Sequence, residues 1–425
     1  MIVARLAGIF LLGLAAAMTA TAAGAESGDR HSWAFHLDLD SSAASSVADS
    51  WVDGGVGKLR YGEADDGTSL GRFFFVYDGR LTPTWDAHFV ADYVDDSSPG
   101  VDVTEAYLQW HPLPRPAFRQ RLKVGAFYPP FSLENGGPGW SNPYTISSSA
   151  INTWLGVEVR TLGAEWRLER PLGLRGSGRQ LAFYASAFLG NDPAGTMLAW
   201  NGWAVHDRQT RLGDILPLPP LPQIQPGRMF AAQALQGEPF IETDDAPGFY
   251  VGAEWRQGHR VLLSLAHYDN HADPTSLRRG QYGWTTRFDH LGAQIELPGR
   301  VGFVAQWIEG TTAMGPVVGD AHVVDVGFDS YFALLTRDFG KHRLSFRYDD
   351  FELVDRDSTF EDRNDESGDA LTLAYRYTHS QRLFAALEWL EIRADRAAWA
   401  YFGLPTSATE RSIIAQIGLR LGPNR

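Results

Sequence analysis

Over its last third the chain repeats one pattern: about ten residues of alternating apolar and polar character, a turn of two or three residues, a second such run, then a long polar loop. Between Arg382 and Arg393 the apolar set is Leu383, Ala385, Leu387 and Trp389; between Arg411 and Leu421 it is Ile413, Ala415, Ile417, Leu419 and Leu421. A period of two places each set on one face of a strand. Lipid tolerates neither a sheet edge nor an unpaired backbone group, so a sheet that faces lipid has to close on itself. The pattern therefore predicts an all-β chain folded as a transmembrane antiparallel β-barrel, with short periplasmic turns and long extracellular loops.

Alternation and turn chemistry together mark sixteen strands, an even number, as single-chain bacterial barrels require. The first half holds 56–61, 72–78, 84–93, 103–111, 121–128, 159–168, 181–190 and 248–256. The second half holds 260–268, 285–297, 301–309, 324–337, 343–353, 369–378, 382–393 and 411–421. Connections alternate between a short class and a long one, the long class being 62–71, 94–102, 129–158, 191–247, 269–284, 310–323, 354–368 and 394–410. Short turns face the periplasm, which puts both ends of the barrel there.

Residues 1–25 carry an early Arg5, an apolar stretch from Leu6 to Ala17 and the small-residue site Ala23-Gly24-Ala25, the marks of a cleavable signal peptide. That implies export and, with the barrel, a place in the bacterial outer membrane. In residues 26–55, Trp33, Phe35, Leu37 and Leu39 alternate; the segment is either a periplasmic N-terminal piece, the favoured reading, or an extra strand, and the barrel proper spans 56–425.

With 44% hydrophobic residues the chain hides a membrane span from bulk hydropathy, as expected when only one side of each strand is apolar. Trp85, Trp110, Trp166, Trp255, Trp307 and Trp389 fall near strand ends, where they suit interfacial girdles; in a soluble β protein they would be core. A formal charge of -14, with Lys58, Lys123 and Lys341 the only lysines, leaves no cationic face for nucleic acid. Lipid and lipopolysaccharide are the expected surroundings. Cysteine is absent, which excludes disulfides and thiolate metal sites.

A wall of sixteen strands is wide enough to hold water. Turning each apolar set outward turns Lys123, Arg167, Arg256, Arg343, Arg347, Arg376, Arg420, Glu105 and Glu165 toward the lumen. Inward cations attract anions, while the acids among them, joined by Asp86, Asp92, Glu254 and Glu296, leave a mixed wall of no preference as the bland alternative. Loop 129–158 contains Pro129-Pro130, Gly136-Gly137-Pro138-Gly139 and Ser147-Ser148-Ser149, chemistry suited to a compact loop folded into the pore. Phe131, Glu134, Asn135, Trp140 and Ser147 would then stand at a constriction. The longer 191–247, with Pro217, Pro219, Pro220 and Pro222, reads as an external lid or a subunit contact.

Gly67-Thr68-Ser69-Leu70-Gly71 matches the nucleophile-elbow pattern but sits in a hairpin loop with no helix after it. His267 and His271 would pair on a helix, and their region reads as strand end and loop. No catalytic residue, metal ligand or cofactor is expected.

The run Leu122-Lys123-Val124-Gly125-Ala126-Phe127-Tyr128-Pro129-Pro130-Phe131-Ser132-Leu133-Glu134 resembles the signature of the phosphate-selective porin O and P family, in which a strand leads into the loop that enters the pore. Thr104-Glu105-Ala106-Tyr107-Leu108-Gln109-Trp110 is similar to that family's preceding strand. The resemblance implies a sixteen-stranded, homotrimeric, passive channel. Family members that take phosphate carry a lysine cluster, which three lysines do not reproduce. The expected function is a porin through which small hydrophilic solutes diffuse, with anions favoured by the inward arginines. The alternative is a non-channel barrel, adhesive, structural or lipid-modifying, that acts through its long external loops.

Overall fold

The computed structural model describes residues 30–96, 98–113, 117–173 and 178–422, so the expected signal peptide lies outside the described residues. Sixteen antiparallel strands close into one barrel: β1 (His31–Ser45), β2 (Gly67–Thr82), β3 (Trp85–Val94), β4 (Gly100–Trp110), β5 (Arg119–Phe127), β6 (Thr161–Leu172), β7 (Arg179–Leu189) and β8 (Gly248–Gln257) in the first half. The second half adds β9 (Val261–Asp269), β10 (Thr285–Leu297), β11 (Val301–Val318), β12 (Ala321–Phe339), β13 (His342–Asp355), β14 (Glu366–Ser380), β15 (Leu383–Arg396) and β16 (Ser407–Leu421). Each strand pairs with its chain neighbours. β1 closes on β16, Phe35 opposite Leu421 and Ser45 opposite Arg411, so the wall has no edge.

The strand count agrees with the alternation, but the first strand is not the expected one. His31–Ser45, the segment favoured as a periplasmic piece, takes that place, and 56–61 lies inside the barrel in the connection 46–66. Length explains the difference: β1 has 15 residues, whereas six fall short of the roughly 9–11 a strand needs to cross a bilayer. Val56, Leu59 and Tyr61 face no lipid; they are buried in the lumen. A second correction concerns 310–323, read as a loop. There β11 and β12 continue as one ladder up to Val318 opposite Ala321, a hairpin of strands 18 and 19 residues long. β-Branched Thr311, Thr312, Val323, Val324 and Val326 favour extended backbone over loop.

Elsewhere the two classes of connection hold. Residues 83–84, 258–260, 298–300, 340–341 and 381–382 turn at one end, and 128–160 and 190–247 join strands at the other. β1 begins and β16 ends on the short-turn side. No helix among the described residues is long and apolar enough to cross a membrane; the strands carry the apolar surface instead. Leu265 is 55% exposed, Leu373 49% and Ile417 57%, all pointing out of the barrel. A leucine left in water forgoes about 1.5–3 kcal/mol, so a belt of them requires an apolar solvent. Toward the long-loop end the outward face becomes acidic, with Asp289, Glu309, Asp329 and Glu352 opposed in register on β10 to β13. Trp85 and Trp166 are exposed on the outer face, as girdle residues are.

The long-loop half of the lumen is filled. Trp51 from 46–66, Phe131, Ile151 and Trp154 from 128–160, Trp200, Trp203 and Phe230 from 190–247 and Trp399 from 397–406 form one continuous apolar core with inward side chains of the wall.

Candidate pore and constriction

The connection 128–160 enters the barrel and is fastened there by polar side chains of the wall. Gln306 on β11 donates from Nε2 to Phe131 O (3.1 Å) and accepts from Leu133 N (2.8 Å), gripping the backbone as a neighbouring strand would. Phe131 itself packs edge-on against Tyr250, Tyr268 and Phe288. Farther along, Glu388 on β15 accepts from Ile146 N (2.6 Å) and Ser147 N (3.0 Å), and Asp349 on β13 accepts from Ala150 N (3.0 Å). Arg347 joins these points: it pairs with Glu134 (2.7 Å) and Asp349 (2.8 Å) and donates to Ser147 O and Ser148 O. Helix α1 (Ala150–Glu158) follows, capped by the Ser149 hydroxyl, which accepts from Asn152 N.

Arg347, read as a pore-lining cation, is fully buried beneath this loop and faces no open lumen. Strand parity does turn it inward, but a loop folded over it consumes its charge. Glu134, Asn135 and Ser147 belong to the same buried network, Asn135 donating to Trp140 O (3.1 Å) and Ser148 Oγ (3.0 Å). Trp140 stacks on Tyr128 at 4.2 Å with its backbone in the left-handed region, φ 57°.

Below the loop, toward the short turns, lies a cavity of about 300 Å³. Its ceiling is Asn135, Pro138, Asn142 and Thr145; its sides come from β1, β2, β14, β15 and β16. Arg72, Arg376, Arg382 and Arg420 line it against two carboxylates, Asp38 and Asp207. Asp207 is held by Arg60 at 2.9 Å, and Arg72 by Asp92 at 2.7 Å. Arg376 stacks on Phe384 with its guanidinium carbon 3.5 Å from the ring centre. Neither Arg376 nor Arg420 has a salt bridge or side-chain hydrogen bond among the described residues; Asp38, on the same cavity, is the carboxylate that acts on Arg376 through space.

The remaining inward candidates are neutralised in place. Arg167 pairs with Glu254 (2.6 Å) and Glu169 (3.1 Å); Arg256 shares Glu254 (2.8 Å). Lys123 sits 3.9 Å from Glu165 and over the rings of Tyr107 and Phe127. Glu165 also accepts from the Tyr250 hydroxyl (2.7 Å), and Glu105 faces His88 at 3.7 Å. Arg343 binds Asp338 (2.6 Å) and donates to Pro143 O (2.9 Å), a further fastening of the loop.

Several residues that build the site were not singled out from the sequence. Arg72, Asp349 and Glu388 occupy the polar phase of their strands and were open to the parity argument that found Arg376. Asp207 lies in a connection, where no period marks which side chain turns inward.

No protein-family model matches the chain, and no curated protein matches it. Among solved structures, the outer membrane channel DcaP of Acinetobacter baumannii is similar with a TM-score of 0.53 at 12% identity, over 94% of this chain and 100% of that one. OmpT of Vibrio cholerae, an outer membrane protein, in a form lacking loop L8, gives 0.50 at 9% identity, over 92% and 100%. At such identities the likeness is one of fold: the closed sixteen-strand wall is of the outer-membrane kind.

Proposed function

We propose that this chain is an outer-membrane diffusion channel of the porin type, passing small hydrophilic solutes and favouring anions. The observation that supports it is the cavity of about 300 Å³ inside the wall, on whose sides Arg376 and Arg420 stand outside any salt bridge among the described residues. Unpaired basic side chains in a pore raise the local anion concentration, as basic rings do in anion channels. In this reading the short turns and both ends of the barrel are periplasmic, the leucine belt is seated among lipid and lipopolysaccharide, residues 128–160 form the constriction, and the barrel assembles as a homotrimer after export on its signal peptide. The resemblance to the phosphate-selective porins O and P makes inorganic phosphate the first anion to try. Purified protein inserted into planar bilayers is expected to show discrete openings in potassium chloride; complete electrical silence of inserted protein, in every variant that frees the lumen, would overturn the reading.

The apolar core in the long-loop half of the lumen favours a second reading, a barrel that does not conduct and works through its outer loops. The same recordings separate the two, and the way the core is assembled bears on the outcome.

A further inference from the structure

Residues 190–247 are joined to the rim of the barrel on several sides. Arg208 pairs with Asp96 in the β3–β4 connection (2.5 Å), and Leu212 N donates to Val103 O of β4 (2.9 Å). Across the mouth Trp203 Nε1 donates to Glu352 O of β13 (3.1 Å), Gln223 Nε2 to Asp362 Oδ1 of the β13–β14 connection (2.9 Å), and Thr286 Oγ1 of β10 to Ala194 O (2.5 Å). A connection tied across the opening in this way covers it.

The deepest part of this cover is the short helix α2 (Thr196–Asn201), every residue of which is buried. Six residues cannot hold a helix in water, where about 12–15 are needed for even marginal stability. What holds α2 is a clamp of side-chain hydrogen bonds at its two ends. At the N-terminus the Glu158 carboxylate, the last residue of α1, accepts from Gly195 N (3.2 Å), Met197 N (2.8 Å) and Leu198 N (3.2 Å), and from Trp154 Nε1 (2.7 Å). At the C-terminus Arg396 of β15 donates to Ala199 O (3.1 Å) and Trp200 O (2.9 Å), and Lys58 donates to Asn201 O (3.2 Å). Glu366 of β14 bridges the two cations, at 2.6 Å from Lys58 and 2.5 Å from Arg396. Acceptors at the start of a helix and donors at its end meet the backbone groups that have no partner within the helix. Fit is close: Gly202 ends α2 at φ 78°, and a Cβ there would collide with the Glu366 carboxylate and the Arg396 guanidinium.

We propose that residues 190–247 are an autoinhibitory lid, that the structure is the closed state, and that conduction waits on release of α2 from the clamp between Glu158 and the Arg396–Lys58 pair. The inference rests on the channel reading above. Closure is then a docking equilibrium: loss of either end of the clamp unravels a helix too short to persist alone, and the apolar core loses the tryptophans that α2 and its flank supply.

Because the chain has no cysteine, introduced thiols are the only reactive ones. In the full-length protein, Gln223→Cys with Asp362→Cys, joined by a short bis-methanethiosulfonate, fastens the lid to the rim. Openings in planar bilayers are expected to cease on cross-linking and to return on reduction; a cross-linked lid that conducts unchanged overturns the proposal. Independently, Ala199→Cys, wholly buried while α2 is docked, reports undocking through its rate of modification by a bulky maleimide. Combining it with Glu158→Ala is expected to raise that rate about tenfold, the effect of leaving buried backbone N–H groups without their acceptor in a docking equilibrium. Arg396→Leu at the other end of the clamp is expected to do the same. An unchanged labelling rate in both variants overturns the clamp. Should no form conduct while labelling responds as expected, the clamp stands and the channel reading fails.

Discussion

At the scale of single residues, Glu158 carries a pH dependence whose sign follows from its surroundings. Burial outweighs its four hydrogen-bond donors and pushes the docked carboxyl up to about 7 from an ordinary 4.5. Undocking returns it to water and toward the ordinary value. The docked state therefore holds the proton more tightly, and this contribution to closure is complete below pH 4.5 and lost as pH rises through about 7. Around Glu158 stand the Tyr268 ring and, beside Gly195, the hydroxyls of Thr286 and Thr312; no cation among the described residues contacts it. Two basic groups act in the opposite sense: burial holds His206 of the lid neutral, so acid favours its release, and Lys58 of the connection 46–66, lowered to about 8 by burial, favours docking increasingly as pH rises above that value. Glu158→Gln isolates the carboxyl, since the other groups are common to both proteins. At pH 5 the two should label nearly alike at Ala199→Cys, and at pH 8 the wild type should label on the order of a hundredfold faster, since docking weakens about tenfold per pH unit between 4.5 and 7 and levels off above. Parallel curves from pH 5 to 8 would show that the carboxyl does not govern docking.

At the scale of elements, the wall was legible in the sequence and what fills it was not. Period two decided which side chains of β13 to β16 face out, because lipid selects Leu344, Phe346, Leu373, Leu387 and Ile417 one position in two. Where that selection is absent, the reading failed: 56–61 alternates as a strand does but packs inside the lumen, and β1 was set aside although it had the length to cross. Connections follow neither period. Nothing in 128–160 announces that Gln306, Arg347 and Glu388 will grip its backbone, since each contact joins positions well over a hundred residues apart. Parity correctly turned Arg347 inward yet said nothing of the loop above it. Removing one member of such a buried network leaves its partners charged and unpaired, which costs about 3–5 kcal/mol. Arg347→Met should accordingly lower the unfolding free energy obtained by urea titration of the barrel in lipid vesicles by an amount of that order, and should widen the conductance as 146–150 loosen. Unchanged stability would mean that Glu134 and Asp349 find other partners and that Arg347 is no fastening.

At the scale of the molecule, one wall performs two separations. Outward leucines divide protein from lipid, and inward charges divide the lumen into salt-bridged pairs and cations outside any such pair. Arg167, Arg256, Arg343 and Arg347 spend their charge on neighbouring carboxylates, so the net charge of -14 does not set the field inside. Arg376 and Arg420 remain, at the cavity on the short-turn side of the loop. If solutes cross there, these two cations decide which ions enter. The reversal potential of the purified protein across a tenfold potassium chloride gradient tests this most directly. An anion-selective sign is expected, moving toward zero in Arg376→Ala with Arg420→Ala while Arg167→Ala leaves it nearly unchanged; a cation-selective wild type, or one indifferent to both arginines, would contradict the account.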